Sequence, residues 1–179
     1  MKATGIVRRI DDLGRVVIPK EIRRTMRIRE GDPLEIFTSS GGEVIFKKYS
    51  PIGELSTFAS EYADSLSKAT DLAVIICDRD HCIAASNISK REVIEKSVAP
   101  ELEALMESRS TFSSLSDSKV FYALENVERK VLVAHPIISA GDVSGAVVLL
   151  ASDKADTPTE TDVKLSFVAA GFLGKQMED

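Results

Sequence analysis

The chain has 179 residues, of which 44% are hydrophobic and 28% are charged, and its formal net charge at pH 7 is −5. This balance is typical of a globular protein with one ordinary domain plus a small one, and it excludes a disordered or fibrous chain. No apolar run approaches the roughly 20 residues that span a bilayer. No secretory signal is recognisable either, so we expect a cytoplasmic protein without a membrane partner.

The charge is distributed unevenly along the chain. Residues 1–29 hold nine Lys or Arg against three acidic residues, a net charge of +6, which leaves −11 for the remainder. A polyanion such as DNA attracts a basic segment of this kind and repels the acidic remainder. We therefore expect any nucleic-acid contact to lie in the N-terminal part. The alternative at this point is a basic run that forms only a solvated helix face.

Residues 5–18 predict a strand, a turn and a second strand. Apolar and cationic residues alternate over 5–10, the Asp-Asp-Leu-Gly sequence of 11–14 is typical of a turn, and 15–18 is rich in β-branched residues. Pro19 fits the first turn of a helix, where its missing N–H needs no partner. That helix is predicted to run over residues 20–26.

A β-hairpin is predicted after this helix. Residues 34–37 alternate like a strand, 39–42 supply Ser and Gly for a turn, and 43–48 return as the pairing strand. Residues 1–50 thus form a predicted β-β-α-β-β domain. A domain of about fifty residues buries little apolar surface alone, so we expect a dimeric core that a second chain completes.

Residues 51–179 predict a second, larger domain of the α+β class. Apolar residues recur at helical spacing over 54–67, and continuous apolar strands follow at 72–77 and 82–85. The remaining predicted elements are two helices within 89–108, a Ser-rich loop at 110–117, strands at 120–124, 131–138 and 143–151, and a helix from Thr159 to about residue 176 with an acidic start at Asp162.

Neither a metal site nor a catalytic centre is indicated. Cys77 and Cys82 lie across a predicted strand-turn-strand and are expected to be reduced thiols, and with His81 they offer too few ligands for a metal. His81 and His135 have no motif-linked nucleophile, and no Gly-rich phosphate loop is present. We therefore expect no enzymatic activity, no metal and no cofactor.

Five short motifs of the N-terminal part occur in a specific order. They are Gly5-Ile-Val-Arg8, Asp12-Leu-Gly-Arg-Val-Val-Ile-Pro19, Ile22-Arg-Arg-Thr25, Leu34-Glu-Ile36 and Lys47-Lys-Tyr49. With these motifs, residues 2–48 closely resemble the swapped-hairpin DNA-binding domain of AbrB-type bacterial transition-state regulators. The resemblance implies that two chains interleave their hairpins into one small barrel-like dimer that presents paired arginines to promoter DNA.

The resemblance also implies which residues contact DNA and where the protein acts. The arginines that match the family are Arg8, Arg15, Arg23 and Arg24. Arg9 and Lys20 are further candidates, although each is equally well explained as a solvated flank. Arg27 and Arg29 lie past the helix and are expected to balance nearby acids instead. A protein of this kind would be associated with the nucleoid.

The second domain carries weaker motifs, mostly of core and packing residues. They are Leu55 to Asp64, Ile76-Cys-Asp-Arg-Asp80, Gly145-Ala-Val-Val148 and Ala169-Ala-Gly-Phe-Leu173. Together with the first domain they resemble AbrB-family regulators of endospore-forming bacteria that carry a C-terminal GAF-like domain. This resemblance implies an activator or repressor of sporulation or transition-state genes, and a tetramer assembled through helices near 54–67 and 159–176.

Two alternatives come from other functional classes. One is a small-molecule sensor whose ligand binds near Cys82, Ser86, Asn87 and the 110–117 loop and modulates DNA binding, although no charged or aromatic cluster marks a specific ligand. The other is the antidote of a toxin–antitoxin pair, a class that also uses swapped-hairpin domains. The folded character of residues 51–179 argues against an antidote with a disordered tail.

Overall fold

A computed structural model describes residues 4–178, and the chain divides into two compact units, Met1–Tyr49 and Ser50–Asp179. Within the described residues, no helix is both long and apolar enough to cross a membrane. The elements in chain order are α1 (Lys20–Thr25), β1 (Leu34–Thr38), β2 (Val44–Lys48), α2 (Pro51–Glu54), α3 (Ser56–Thr70), β3 (Ala73–Asp78), β4 (Cys82–Ser86), α4 (Lys90–Val93), α5 (Pro100–Glu107), β5 (Phe112–Ser113), β6 (Val131–Ser139), β7 (Asp142–Leu150) and α6 (Glu160–Gln176).

The N-terminal unit contains the short helix α1 and the β1–β2 hairpin. The two strands pair antiparallel from Leu34 opposite Lys48 to Thr38 opposite Val44. The turn between them closes with the Gly42 N–H donating to the Ser39 carbonyl at 3.1 Å. The hairpin and the helix predicted from the sequence are therefore confirmed.

The two strands predicted at residues 5–10 and 15–18 are not assigned in the single chain. The turn between them is formed, because the Gly14 N–H donates to the Asp11 carbonyl at 3.0 Å and the Asp11 N–H donates to the Arg15 carbonyl at 3.0 Å. A strand needs a hydrogen-bonded neighbour along its length. Beyond this turn, no such neighbour lies beside either segment within residues 4–178, so both remain irregular.

The second unit is built around a five-stranded antiparallel sheet with the order β4-β3-β7-β6-β5. Side chains alternate between its two faces, as strand geometry requires. On one face Val74 and Leu149 pack with α3 and α6, and on the other Ile75 and Val148 pack with α4 and α5. This arrangement confirms the predicted α+β class with a terminal helix packed back on the sheet.

Two further predictions for this unit have different outcomes. The strand predicted at 120–124 is wrong, because only isolated bridges form, Val98 with Leu124 and Tyr122 with Lys130. The start of the last helix is confirmed. Thr159 caps α6 in a reciprocal capping box with Asp162, whose carboxylate accepts the Thr159 N–H at 2.7 Å.

Candidate nucleic-acid interface

The N-terminal unit of the single chain leaves its apolar side chains half-buried or exposed. No hydrophobic residue within the described range 4–49 is buried. Val7 is 83% exposed and Val17 is 71% exposed, and both lie in the extended segments that lack neighbours. By contrast, the second unit buries many large aliphatic side chains completely, for example Leu102 and Leu149. The N-terminal unit of a single chain therefore has no hydrophobic core of its own.

Arg23 and Arg24 lie side by side in the last turn of α1. A cation near a helix C-terminus interacts favourably with the helix dipole. The helix end is closed by the Ile28 N–H donating to the Arg23 carbonyl at 2.8 Å and by Arg27, which adopts the left-handed conformation with φ of 51°. Within residues 4–178 neither the Arg23 nor the Arg24 guanidinium has a side-chain partner, so both remain free to bind an anion.

Arg15 follows the tight turn at 11–14 and is held by Asp11. Its Nε donates to Asp11 Oδ2 at 2.8 Å, while its backbone N–H donates to Asp11 Oδ1 at 2.7 Å. These hydrogen bonds, the backbone one first, lower the pKa of the Asp11 carboxyl below its usual value of 3.8. The carboxylate therefore stays ionised beside the guanidinium at neutral pH. Sequence reasoning identified the turn but missed this contact, although an Asp that opens a turn is the signal for it.

The other candidate cations lie on both sides of this turn and helix. The Arg8 guanidinium donates to the carbonyl of its neighbour Val7 at 3.1 Å and is otherwise exposed. Arg9 is exposed in the same extended segment, and Lys20 is the exposed first residue of α1. The four primary arginines thus lie on three consecutive local elements, and local contacts hold the guanidinium groups of Arg8 and Arg15.

The residues past α1 have structural contacts. The Lys48 ammonium donates to the Arg27 carbonyl at 2.8 Å and lies 3.7 Å from the Asp32 carboxylate. The Arg29 N–H also donates to Asp32, at 2.7 Å. These contacts tie the segment after α1 to β2. They involve the backbone groups of Arg27 and Arg29, and the exclusion of both residues from the DNA-binding set stays a prediction.

In the second unit the two cysteines are internal, whereas Ser86, Asn87 and most of the 110–117 loop lie nearer the surface. Cys77 and Cys82 are free, fully buried and paired across β3 and β4. A hydrogen bond with Cys82, together with burial, holds the pKa of the Cys77 thiol well above its usual value. Ser86 is half-buried, and the exposed Asn87 donates to the Asp71 carbonyl at 3.1 Å. Among the described residues, no group of three or more His, Cys, Asp or Glu is arranged to hold a metal.

A different surface of the second unit is apolar and exposed. On α6, Phe167 is 64% exposed, and Val168 and Phe172 are also exposed. Phe172 lies against two half-buried aromatic rings of α3, with ring centroids 5.9 Å from Phe58 and 5.7 Å from Tyr62. Phe58, Tyr62 and Phe172 form the largest cluster of ring contacts in the described chain, whereas Phe167 packs against His135 with ring centroids 5.7 Å apart. We call these three rings together with Phe167 and Val168 the α3–α6 face. Clusters of this kind mark protein–protein contact sites.

Comparison with known proteins shows that each of the two units matches a protein-family model. Residues 54–178 match the family model described as "Stage V sporulation protein T C-terminal, transcription factor". Residues 7–53 match the model described as "Antidote-toxin recognition MazE, bacterial antitoxin". Transition state regulatory protein AbrB of Bacillus subtilis (strain 168) is 59% identical over 51 residues, which cover 28% of this chain and 52% of that protein.

The second unit also has a solved structural neighbour. The GAF domain of an Acinetobacter phosphoenolpyruvate-protein phosphotransferase superposes with a TM-score of 0.54 at 10% identity, covering 69% of this chain and 81% of that one. At this identity the likeness concerns the fold alone, and it confirms the predicted GAF-like fold.

One relative matches from end to end. Stage V sporulation protein T of Bacillus subtilis (strain 168) is 53% identical over 180 residues, covering 99% of each chain. The family model over residues 54–178 and this full-length relative carry the same name. The chain therefore belongs to the stage V sporulation protein T family of transcription factors.

Proposed function

We propose that this transcription factor regulates sporulation or transition-state genes by binding promoter DNA through a dimer of its N-terminal unit. The observation that supports this most directly is that none of the apolar side chains in residues 4–49 is buried in the single chain, and that residues 5–10 and 15–18 have no strand partner there. Exposed apolar surface of this extent is unfavourable in water, and a second copy of the same segment can cover it.

Pairing of backbones supports the same assembly. Residues 5–10 and 15–18 leave N–H and C=O groups without a strand neighbour in the single chain. Unpaired edges of this kind are templates for another chain. Two copies that exchange these segments would form the missing ladders and bury Val7 and Val17 in one shared core. The family resemblance to swapped-hairpin regulators points to the same solution.

The arginines provide the DNA contacts in this proposal. A guanidinium is a planar, permanently charged fork of donors that matches phosphate oxygens or the O6 and N7 edge of guanine. Two-fold symmetry would present Arg8, Arg15, Arg23 and Arg24 twice, with Arg9 and Lys20 adding to the positive field. Because phosphate contacts carry no base sequence, such a surface reads DNA shape and flexibility at least as much as bases. We expect loose consensus sites.

Single substitutions in the full-length chain test the arginine assignment. Arg23→Ala should strongly weaken promoter binding in an electrophoretic mobility assay, with unchanged circular dichroism. Val17→Asp should weaken binding at least as much, because it places a charge in the shared core. Wild-type promoter affinity in both variants would refute this proposal.

We also propose a second contact between copies, through the α3–α6 face, which would join two dimers into a tetramer. Its α6 side chains Phe167, Val168 and Phe172 are exposed in the single chain although the unit has a buried core beneath them. Phe167→Glu should reduce the mass measured by sedimentation by about half without loss of helical signal. Lys164→Ala, an exposed change on the same helix, is the control.

Ligand binding in the GAF-like unit stays a prediction. It would make DNA binding responsive to a small molecule, and a thermal-shift screen of metabolites on the full-length chain tests it. The transcription-factor family indicates a regulatory role, and the absence of enzymatic activity likewise remains an expectation.

A further inference from the structure

Both carboxylate oxygens of Asp11 accept hydrogen bonds around the turn at 11–14. Its Oδ1 accepts the N–H groups of Leu13, at 3.0 Å, and of Arg15, at 2.7 Å. Its Oδ2 accepts the Arg15 Nε–H at 2.8 Å. One oxygen thus closes the turn, and the other holds the guanidinium.

Because Asp11 contacts only the Nε of Arg15, the two terminal nitrogens of the guanidinium remain available. The contact uses the Nε donor, whereas the donors on Nη1 and Nη2 remain for another partner. The Arg15 side chain is 70% exposed although it is paired. A surface ion pair in this geometry contributes little to stability. Its main physical effect is to restrict the rotamers of a long side chain that is otherwise free to move.

We propose that Asp11 is a positioning residue of the DNA-binding surface, which orders Arg15 before DNA arrives. The proposal rests on the function proposed above, in which Arg15 contacts DNA. Ordering a flexible side chain is a cost of binding, and a side chain that is already ordered avoids it. Asp11 also brings a negative charge, which weakens general attraction to DNA. The net effect of Asp11 is to favour DNA sites that fit the ordered Arg15 side chain over arbitrary DNA sequences.

Asp11→Asn separates the two roles of the carboxylate. The Asn carbonyl oxygen can still accept the Leu13 and Arg15 backbone N–H groups, but its amide nitrogen cannot accept from Arg15 Nε. Asp12→Asn is the matched control. It removes the same charge one residue along the chain, and within residues 4–178 the Asp12 carboxylate accepts no hydrogen bond.

The experiment compares two DNA duplexes bound by the full-length variants. One duplex is selected from a random library by the wild-type chain, and the other is a scrambled sequence of the same length and composition. The ratio of the two affinities should fall by about two- to twelvefold per protomer for Asp11→Asn relative to Asp12→Asn. The two variants should bind the scrambled duplex equally, because both have lost one negative charge.

A double variant shows whether Asp11 acts through Arg15. In an Arg15→Ala background, Asp11→Asn and Asp12→Asn should have equal effects, since no guanidinium is left to orient. If Asp11→Asn alters the circular dichroism, Asp11→Ser, whose hydroxyl also accepts turn N–H groups, provides the same comparison.

Two outcomes distinguish the positioning role of Asp11 from the proposed DNA contact of Arg15. Equal affinity ratios for Asp11→Asn and Asp12→Asn, with binding weakened in Arg15→Ala, would overturn the positioning role and leave the DNA contact intact. Wild-type binding by Arg15→Ala would overturn the contact itself, and the positioning role with it.

Discussion

Gly174 of α6 lies against the backbone of β6, and a larger residue at this position is expected to destabilise the protein. An ideal Cβ at this position would lie 3.0 Å from the Ile138 carbonyl carbon and closer still to its oxygen, whereas ordinary van der Waals contact begins near 3.4 Å. The position of a Cβ is fixed by the helix backbone, and the atoms that it would meet belong to the backbone of Ile138. No side-chain rotation therefore relieves the overlap. The helix or β6 must therefore shift in Gly174→Ala.

The expected cost follows from two opposing effects. Overpacking of a well-packed core costs about 1–3 kcal/mol, and exchanging Gly for Ala inside a helix returns up to about 1 kcal/mol. Because the added Cβ would overlap backbone atoms, the overpacking cost lies at the upper end of this range, and the net loss of stability is about 2 kcal/mol. This loss lowers Tm by about 4–8 °C for a chain of this size.

Thermal and urea unfolding of the full-length chain, followed by circular dichroism, measure this loss. Gln176→Ala is the control, since it changes an exposed residue of the same helix and should leave the midpoint unchanged. A Gly174→Ala variant as stable as wild type, or more stable, would refute the close backbone approach.

Two further predictions concern α6 and its partner strand. Thr159→Ala removes the capping hydroxyl and should lower the free energy of unfolding by about 1 kcal/mol, whereas Thr159→Ser should retain most of it; equal urea midpoints for the two would contradict the cap. Burial lowers the pKa of His135 below its usual 6.5. The unfolded chain then binds more protons just below pH 6.5, so stability is lost as the pH falls through that window. His135→Gln should flatten this part of the pH dependence of the urea midpoint, and an unchanged slope would contradict it.

The sequence predicted the second unit well where local signals and burial agree. The continuous apolar runs that became β3, β6 and β7 have a single favourable placement, inside a sheet covered on both faces. The start of α6 was predictable because Thr159 and Asp162 have the spacing of a capping box. The segment at 120–124 has the same apolar composition, but it pairs only at single residues.

Other features depend on distances that no sequence pattern encodes. A glycine inside a helix indicates weak helix propensity, yet Gly174 is needed for a close approach to β6. The four arginines were chosen from a family resemblance, and the role of Asp11 emerged only from the geometry of its two oxygens. The strands at 5–10 and 15–18 depend on a neighbour that a single chain does not contain.

The salt dependence of promoter binding by the full-length chain tests the central claim most directly. If all four arginines of both chains of a dimer neutralise phosphates, the slope of log K against log salt should be about −7. Arg23→Ala should make it less negative by about 2, since each dimer loses two contacts. Arg91→Ala, an exposed change in the second unit, should leave it unchanged. A slope near zero, or one that Arg23→Ala does not alter, would contradict a DNA surface built from paired arginines.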